Sequence, residues 1–387
     1  MKSLAALAGS WAVTLWVMPW SDERVNDLFV FRTDAGWFLD GMLPYRDVLF
    51  EYPPLAAVPI GLPGVAGTDA PTYRWAFALL MLGLAACVLL LVRALARRTG
   101  GDERLAVAAV ALAPLVTGAM IRNHFDLLPV ALLLAALLLI VRERAVAGFA
   151  VLGVATMAKG FPIVVAPVAL AWLRGRAALR GAVALGAVVV VLAAAAVALS
   201  PSGALDAIRY QTDRPVQVES LPALAVRAVD PNAPPVSSYR SDGLDSPAGG
   251  PFTAAFAALG LAAVALLSVG AARSGRVPRA LLLASLGAVA AFATFGKVLS
   301  PQYLVWVLPL GALALAWKKW ALAGAVGAAT FLTFLEFPSR YFELVAGRPL
   351  PLAIVALRDC VLVAVVALAL REIVPIRNRA PGLARST

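Results

Sequence analysis

The 387-residue chain is 61% hydrophobic and only 14% charged, whereas a soluble domain carries about 25% charged residues, so the expected solvent is a bilayer. The net charge of +11 does not mark a nucleic-acid binder, because the basic residues lie between apolar runs rather than on one patch. The two cysteines, Cys87 and Cys360, both fall within apolar runs, which argues against a disulfide framework or a cysteine zinc site.

Taken in chain order, apolar runs long enough to approach a span predict helices at 3–20, 76–92, 105–121, 125–141, 145–158, 160–173, 181–199, 252–270, 280–296, 302–317, 320–335 and 350–370. The expected fold is an all-α, single polytopic membrane domain over 1–387, with about 12 transmembrane helices. The first run ends Trp16-Val17-Met18-Pro19-Trp20 without a small-residue cleavage site, so it is expected to be a retained span rather than a signal peptide. Lys2, the turns 93–104, 142–144, 174–180, 271–279 and 318–319, and the tail from 371 hold 19 of the 33 Lys and Arg and four acids, a balance of +15. Everything else sums to −4. The positive-inside rule therefore puts both termini, with the 371–387 tail, in the cytoplasm of a multi-pass plasma-membrane protein.

This parity leaves two long external loops, 21–75 and 200–251. Within the first, residues 55–66 are too short to cross and contain Pro59 and Pro63, so they are expected to be juxtamembrane or re-entrant. The second, rich in Pro, Ser, Asp and Gly, reads as irregular structure.

Polar residues at membrane depth mark function, and here they gather at the outer hairpin tips: Asn123-His124-Phe125-Asp126, Lys159-Gly160-Phe161-Pro162, 297–303 and 336–348. The hairpin 145–173 would be roughly 44 Å of helix, short of the ~60 Å that two full crossings need, so Lys159 should lie within the membrane. A buried ammonium needs an anion, which a lipid phosphate could supply; snorkelling to the surface is the alternative. The first external loop interleaves Asp22, Glu23, Asp27, Asp34, Asp40, Asp47 and Glu51 with Phe29, Phe31, Trp37, Phe38, Tyr45, Phe50 and Tyr52. A helix over 25–40 would put Asp27, Phe31 and Asp34 on one face. Aromatic rings stack on a sugar's apolar face while carboxylates accept from its hydroxyls. His124, the sole histidine, is as consistent with an interface position as with a functional one. Without a second histidine no metal site is expected. Arg358-Asp359, inside the last run, reads as a buried pair, and Trp16, Trp20, Trp75, Trp306, Trp317 and Trp320 as candidates for the interfacial belts.

The stretches Asp27-Leu28-Phe29-Val30-Phe31, Gly41-Met42-Leu43-Pro44-Tyr45 and Tyr52-Pro53-Pro54-Leu55 resemble the first external loop of glycosyltransferase family 87, GT-C-type integral membrane mannosyltransferases and their bacterial relatives. Lys159-Gly160-Phe161-Pro162, Arg214-Pro215-Val216-Gln217-Val218-Glu219-Ser220 and 297–306 extend the resemblance in order. The last also resembles a segment of the enzyme that adds the first mannose to the glycosylphosphatidylinositol anchor. Where relatives often carry a histidine before the Arg214 motif, this chain has Tyr210-Gln211. The resemblance implies a GT-C-like fold with juxtamembrane helices in a catalytic first loop. It also implies an inverting transfer of a hexose, mannose by family weight, from a polyprenyl phosphate donor to a glycolipid or glycan acceptor outside the cytoplasm. No cofactor is implied. It makes Asp27 the base, with Asp34 its main rival. Asp34, Tyr45, Tyr52, His124, Asp126, Lys159, Arg214, Glu219, Lys297, Gln302 and Tyr303 are the candidate substrate-binding residues. The competing reading is a lipid or sugar transporter or flippase. Paired inverted halves and midplane polar sites would mark one, whereas here the polarity is one-sided and no halves are visible.

Overall fold

The computed structural model describes residues 2–373. Of the 371–387 tail, only 371–373 fall within that range; the rest lies outside the described residues.

The chain begins with α1 (Lys2–Trp16), whose Ser10 hydroxyl donates to the Ala111 carbonyl at 2.6 Å. The first loop folds into α2 (Leu28–Leu39), a 3-10 turn at Pro54–Ala56 and α3 (Ala57–Gly64). Asn26 Oδ1 accepts from the Leu28 amide at 2.9 Å and so starts α2. Pro53 and Pro54 pre-set the turn that leads into α3. α2 and α3 pack against each other, and eight residues of α3 are too few to span, as the juxtamembrane reading requires.

α4 (Ala70–Arg98) starts on Asp69, which accepts from the Thr72 amide at 3.0 Å. The predicted continuous span 105–121 is instead three pieces: α5 (Glu103–Leu112), α6 (Pro114–Thr117) and α7 (Met120–Asn123). Two local features break it. Pro114 cannot donate to the ladder, and Gly118 adopts φ +59°, ψ −150°, a backbone region that essentially only glycine reaches. A Cβ there would also lie 2.8 Å from the Phe334 ring. The break turns 120–126 out of helical register, and these residues furnish part of the site.

α8 (Leu127–Val141) and α9 (Ala145–Ala158) form a tight hairpin, and a 3-10 turn at Phe161–Val164 leads into α10 (Val165–Leu173). At 14 residues α9 runs roughly 21 Å, short of a hydrocarbon core about 30 Å thick. Lys159 follows at its end, its side chain 15% exposed. α11 (Gly175–Leu199) follows. It is 25 residues of apolar helix in which only Gly181, Leu185 and Ala196 are buried by protein, so lipid is the solvent its surface requires.

Residues 200–251 depart from the irregular loop expected. They form α12 (Pro201–Asp213), β1 (Val216–Gln217), α13 (Leu221–Val229), β2 (Pro235–Ser238) and β3 (Ser241–Leu244), with an antiparallel sheet ordered β1-β3-β2. Ser200 and Ser220 each accept from the amide three residues on, with Pro201 and Pro222 in the first turn, so both helices have conventional starts. This cap lies against the first loop. A Cβ on Gly203 would overlap the Tyr45 carbonyl oxygen at 1.8 Å, so only glycine lets α12 approach there.

α14 (Gly249–Arg273), α15 (Pro278–Phe295), a 3-10 turn at Pro301–Tyr303 with α16 (Leu304–Ala316), α17 (Trp320–Glu336), α18 (Tyr341–Val345) and α19 (Pro349–Ile373) complete the described chain. α15 is Ala- and Leu-rich all round, and nearly every residue from Ala280 to Thr294 is buried, the pattern of a central bundle helix. Five helices (α4, α11, α14, α15 and α19) are long and apolar enough to cross a membrane by themselves, and the remaining apolar helices are shorter. The chain is thus a helical membrane protein. The basic turns meet at one end of the bundle: Arg279 donates to the Thr99 and Gly100 carbonyls at 2.8 Å each, the Asp102 amide donates to the Ala316 carbonyl, and Lys319 pairs with Glu372. The first loop and the 200–251 cap close the other end.

Candidate active site

A cavity of about 670 Å³ opens between the first-loop cap and the 200–251 cap. Its polar wall comes from the start of α2, the 44–54 segment, His124, Lys159, Arg214, Glu219 and Arg240. Its apolar wall comes from Ala193, Ala196 and Val197 of α11, Ala207 and Ile208 of α12, and the rings of Phe161, Phe292, Tyr303 and Trp306.

The Leu28 amide is held by Asn26, and Asp27, at the N-cap position of α2, makes no capping bond. Its carboxylate is left free to face the cavity, 37% exposed. His124 Nε2 lies 3.4 Å from Asp27 Oδ2, and the other ring nitrogen, Nδ1, lies 3.1 Å from the Met120 carbonyl.

Lys159 ends on Asp126, with Nζ donating to both carboxylate oxygens at 2.7 and 2.9 Å. Trp306 Nε1 also donates to Asp126. The ammonium sits 4.7 Å above the Phe125 ring, and Trp306 is sandwiched between Phe161 and Tyr303 at centroid distances of 4.0 and 3.8 Å. The anion that a buried lysine requires is thus a side chain of the protein. Lys159 still lines the cavity and contributes a desolvated, paired cation to its floor.

Above them Glu51, 7% exposed, pairs with Arg240 at 3.4 Å, and Gln211 donates to the Glu51 carbonyl at 3.0 Å. Burial raises the Glu51 carboxyl above its ordinary range. Arg214 lines the cavity beside Tyr210 with its buried Nε unpartnered. Glu219 is fully buried, accepts from Gln217 Nε2 at 2.9 Å, and is pushed well up by burial and then by neighbouring Glu336. Arg358, paired with Asp359 at 2.9 Å, donates to the Glu219 carbonyl from α19.

The structure brings most of the expected residues together: Asp27, Tyr45, Tyr52, His124, Lys159, Arg214, Glu219, Gln302 and Tyr303 all line the one cavity. Three others lie elsewhere. Asp126 stands behind Lys159 as its counter-ion. Lys297 donates to the Thr212 and Arg214 carbonyls at 2.6 and 2.8 Å and clips the second cap in place; burial and Arg214 hold its ammonium below the usual lysine range. Asp34 does share the Asp27 face of α2, but it is only 1% exposed, beneath the cavity wall, with Oδ1 unpartnered. Burial raises its carboxyl to about 6. Arg240, Tyr239 and Tyr341 also line the cavity and were not among the expected residues; the first two are carried by the 200–251 segment, expected to be irregular, and Tyr341 by the 336–348 tip. Among the described residues, no group of three or more His, Cys, Asp and Glu side chains is placed to hold a metal ion.

Residues 51–176 match the family described as alpha-(1->6)-mannopyranosyltransferase, N-terminal domain. The matched stretch takes in Glu51, Tyr52, His124, Asp126 and Lys159. It begins after Asp27, and its description names mannosyl transfer without naming family 87. No curated protein matches. Among solved structures the chain is similar to the Archaeoglobus fulgidus oligosaccharyltransferase in three forms. With Zn and sulfate, the TM-score is 0.44 at 13% identity, over 92% of this chain and 53% of that one. Tethered to an acceptor peptide, it is 0.45 at 12%, over 96% and 55%. In the apo form it is 0.45 at 13%, over 96% and 56%. The chain thus spans about half the length of the solved structures it matches.

Proposed function

We propose that this membrane glycosyltransferase is an inverting hexosyltransferase that moves mannose from a polyprenyl phosphate donor to a glycolipid or glycan acceptor at the extracytoplasmic face. The observation that carries the reading is one cavity combining a single partly exposed carboxylate, Asp27, with the guanidinium groups of Arg214 and Arg240 and an apolar wall on α11 and α12. The outer surfaces of those helices, Val197 and Ile208 among them, are exposed. An isoprenoid chain can lie along such a wall while its phosphate reaches the arginines.

The chemistry follows from that inventory. The acceptor hydroxyl gives its proton to Asp27 as its oxygen bonds to the anomeric carbon. The bond from that carbon to the phosphate oxygen breaks, and its electron pair leaves with a phosphate that is already a good leaving group. The departing charge needs cations rather than a general acid. One carboxylate and one displacement invert the anomeric centre. The choice of mannose rests on the family match over residues 51–176, and the choice of face on the charge balance between the turns.

The test is purified protein in lipid vesicles with radiolabelled polyprenyl-phosphate mannose, assayed beside the glucose and galactose donors. Label appearing in an acceptor with the anomer inverted is the expected result. Donor that crosses the bilayer with its sugar still attached would favour a flippase and overturn the proposal.

A further inference from the structure

We propose that His124 is the positioning residue for Asp27: an imidazolium Nε2–H bridges to Oδ2 and leaves Oδ1 to receive the acceptor's proton. The inference rests on the reading of Asp27 as base.

The argument starts at the other side of the ring. The Met120 carbonyl can only accept, so Nδ1, 3.1 Å from it, carries a proton. In a neutral imidazole Nε2 would then present a lone pair to the carboxylate oxygen 3.4 Å away. Two acceptors facing each other repel, and a proton between them removes the conflict. The ring has little freedom to turn away, since His124 is 4% exposed and its backbone leaves the end of α7 in extended geometry. Asp27, by contrast, has no capping bond and is 37% exposed. Without His124 its carboxylate would be free to rotate about χ1 and χ2. A base must be held within hydrogen-bond reach of the proton it takes, and a small misplacement costs rate steeply. Fixing Oδ2 also separates the two oxygens by role. His124 keeps its proton throughout; the acceptor's proton goes to Oδ1.

Because the chain holds a single histidine, the pair can be observed without any turnover. Protein with 15N-labelled histidine, purified with a tag free of histidine and placed in nanodiscs, should show two slowly exchanging ring N–H signals, Nδ1–H and Nε2–H. In Asp27→Ala the Nε2–H signal should vanish while Nδ1–H, held by Met120, remains. An Nε2–H signal unchanged in Asp27→Ala overturns the proposal. So does selective broadening of the ring by micromolar Mn²⁺, which would put a cation where the proton is proposed.

The kinetic arm uses His124→Gln and His124→Ala. Gln can still donate to Oδ2, so kcat should fall roughly 10- to 100-fold in His124→Ala and less in His124→Gln, with KM for donor near wild type in both. Equal losses in the two variants, or a loss confined to KM, would overturn the positioning role. A wild-type protein that shows both ring N–H signals but transfers sugar from no polyprenyl-phosphate donor keeps the pair and removes the proposed function.

Discussion

Lys159 and Asp126 meet as an ion pair at the tip of the α9–α10 hairpin, 2.7 Å apart with side chains 15% and 2% exposed. Each makes the other's burial tolerable, and breaking such a pair on one side strands a charge at a cost of about 3–5 kcal/mol. Lys159→Met and Asp126→Asn should therefore each lower the thermal unfolding midpoint in detergent. The double variant should lose clearly less than the sum of the two. Additive losses would show that the pair is not coupled. Donor affinity should weaken in Lys159→Met beyond what Asp126→Asn causes, because only the lysine lines the cavity.

Asp34 should act on stability rather than on turnover. Its carboxyl is raised from 3.8 to about 6 by burial, so the folded state binds its proton more tightly than the unfolded state does. For a raised carboxyl the folded form holds more protons, and stability falls as pH rises through the window between about 4 and 6. Asp34→Asn removes the ionisable group. It should raise stability at pH 7 by of order 1–3 kcal/mol and flatten the pH dependence across that window, read by thermal unfolding in detergent. Unchanged unfolding profiles would mean that the carboxyl is hydrated in the folded state.

The sidedness of the bundle can be read by labelling. In a background with Cys87 and Cys360 replaced, Asp40→Cys and Ser237→Cys lie on the two caps and Arg273→Cys lies at the basic end, all exposed. An impermeant thiol reagent on intact cells should label the first two, and the third only after permeabilisation. Labelling of the third on intact cells would reverse the orientation and move the proposed chemistry to the cytoplasm.

Much of this fold was legible because a bilayer writes strongly into sequence: apolar runs and the Arg-rich turns after α4, α10 and α14 follow from solvent alone. The local chemistry of α2 was legible too, down to Asp27 and Asp34 sharing a face. Two kinds of feature were not. Partners distant in sequence cannot be read from periodicity: Asp126 and Lys159 are 33 residues apart, and Asp126 and Trp306 are 180. The 200–251 cap was misread because its order comes from contacts made elsewhere, such as Lys297 on the Arg214 carbonyl and Tyr341 on Asp242. Yet Ser200-Pro201 and Ser220-Leu221-Pro222 are helix-start signals that mark α12 and α13 in the sequence itself. Likewise Pro114 and Gly118 signal the break in 105–121, and that break sets His124 beside Asp27.

The base itself gives the sharpest test. Asp27→Asn keeps the shape of the side chain and can still hydrogen-bond, but it cannot take a proton. Losing a positioned base typically costs about 10²–10⁴ in rate, and turnover in Asp27→Asn should fall within that span. Donor affinity should hardly change, since the arginines that would meet the phosphate, Arg214 and Arg240, are untouched. The comparison that decides the assignment is Asp34→Asn, about two turns further along the same face of α2 but buried out of the cavity. It should retain most of its turnover and gain stability as argued above. Binding of donor by Asp27→Asn, measured directly on the purified variant, separates a chemical defect from misfolding. If folded, donor-binding Asp27→Asn turns over near the wild-type rate while Asp34→Asn is dead, the wrong carboxylate has been assigned. The positioning role of His124 would fall with it, because a proton bridge to Asp27 matters only if Asp27 is the group that must be held.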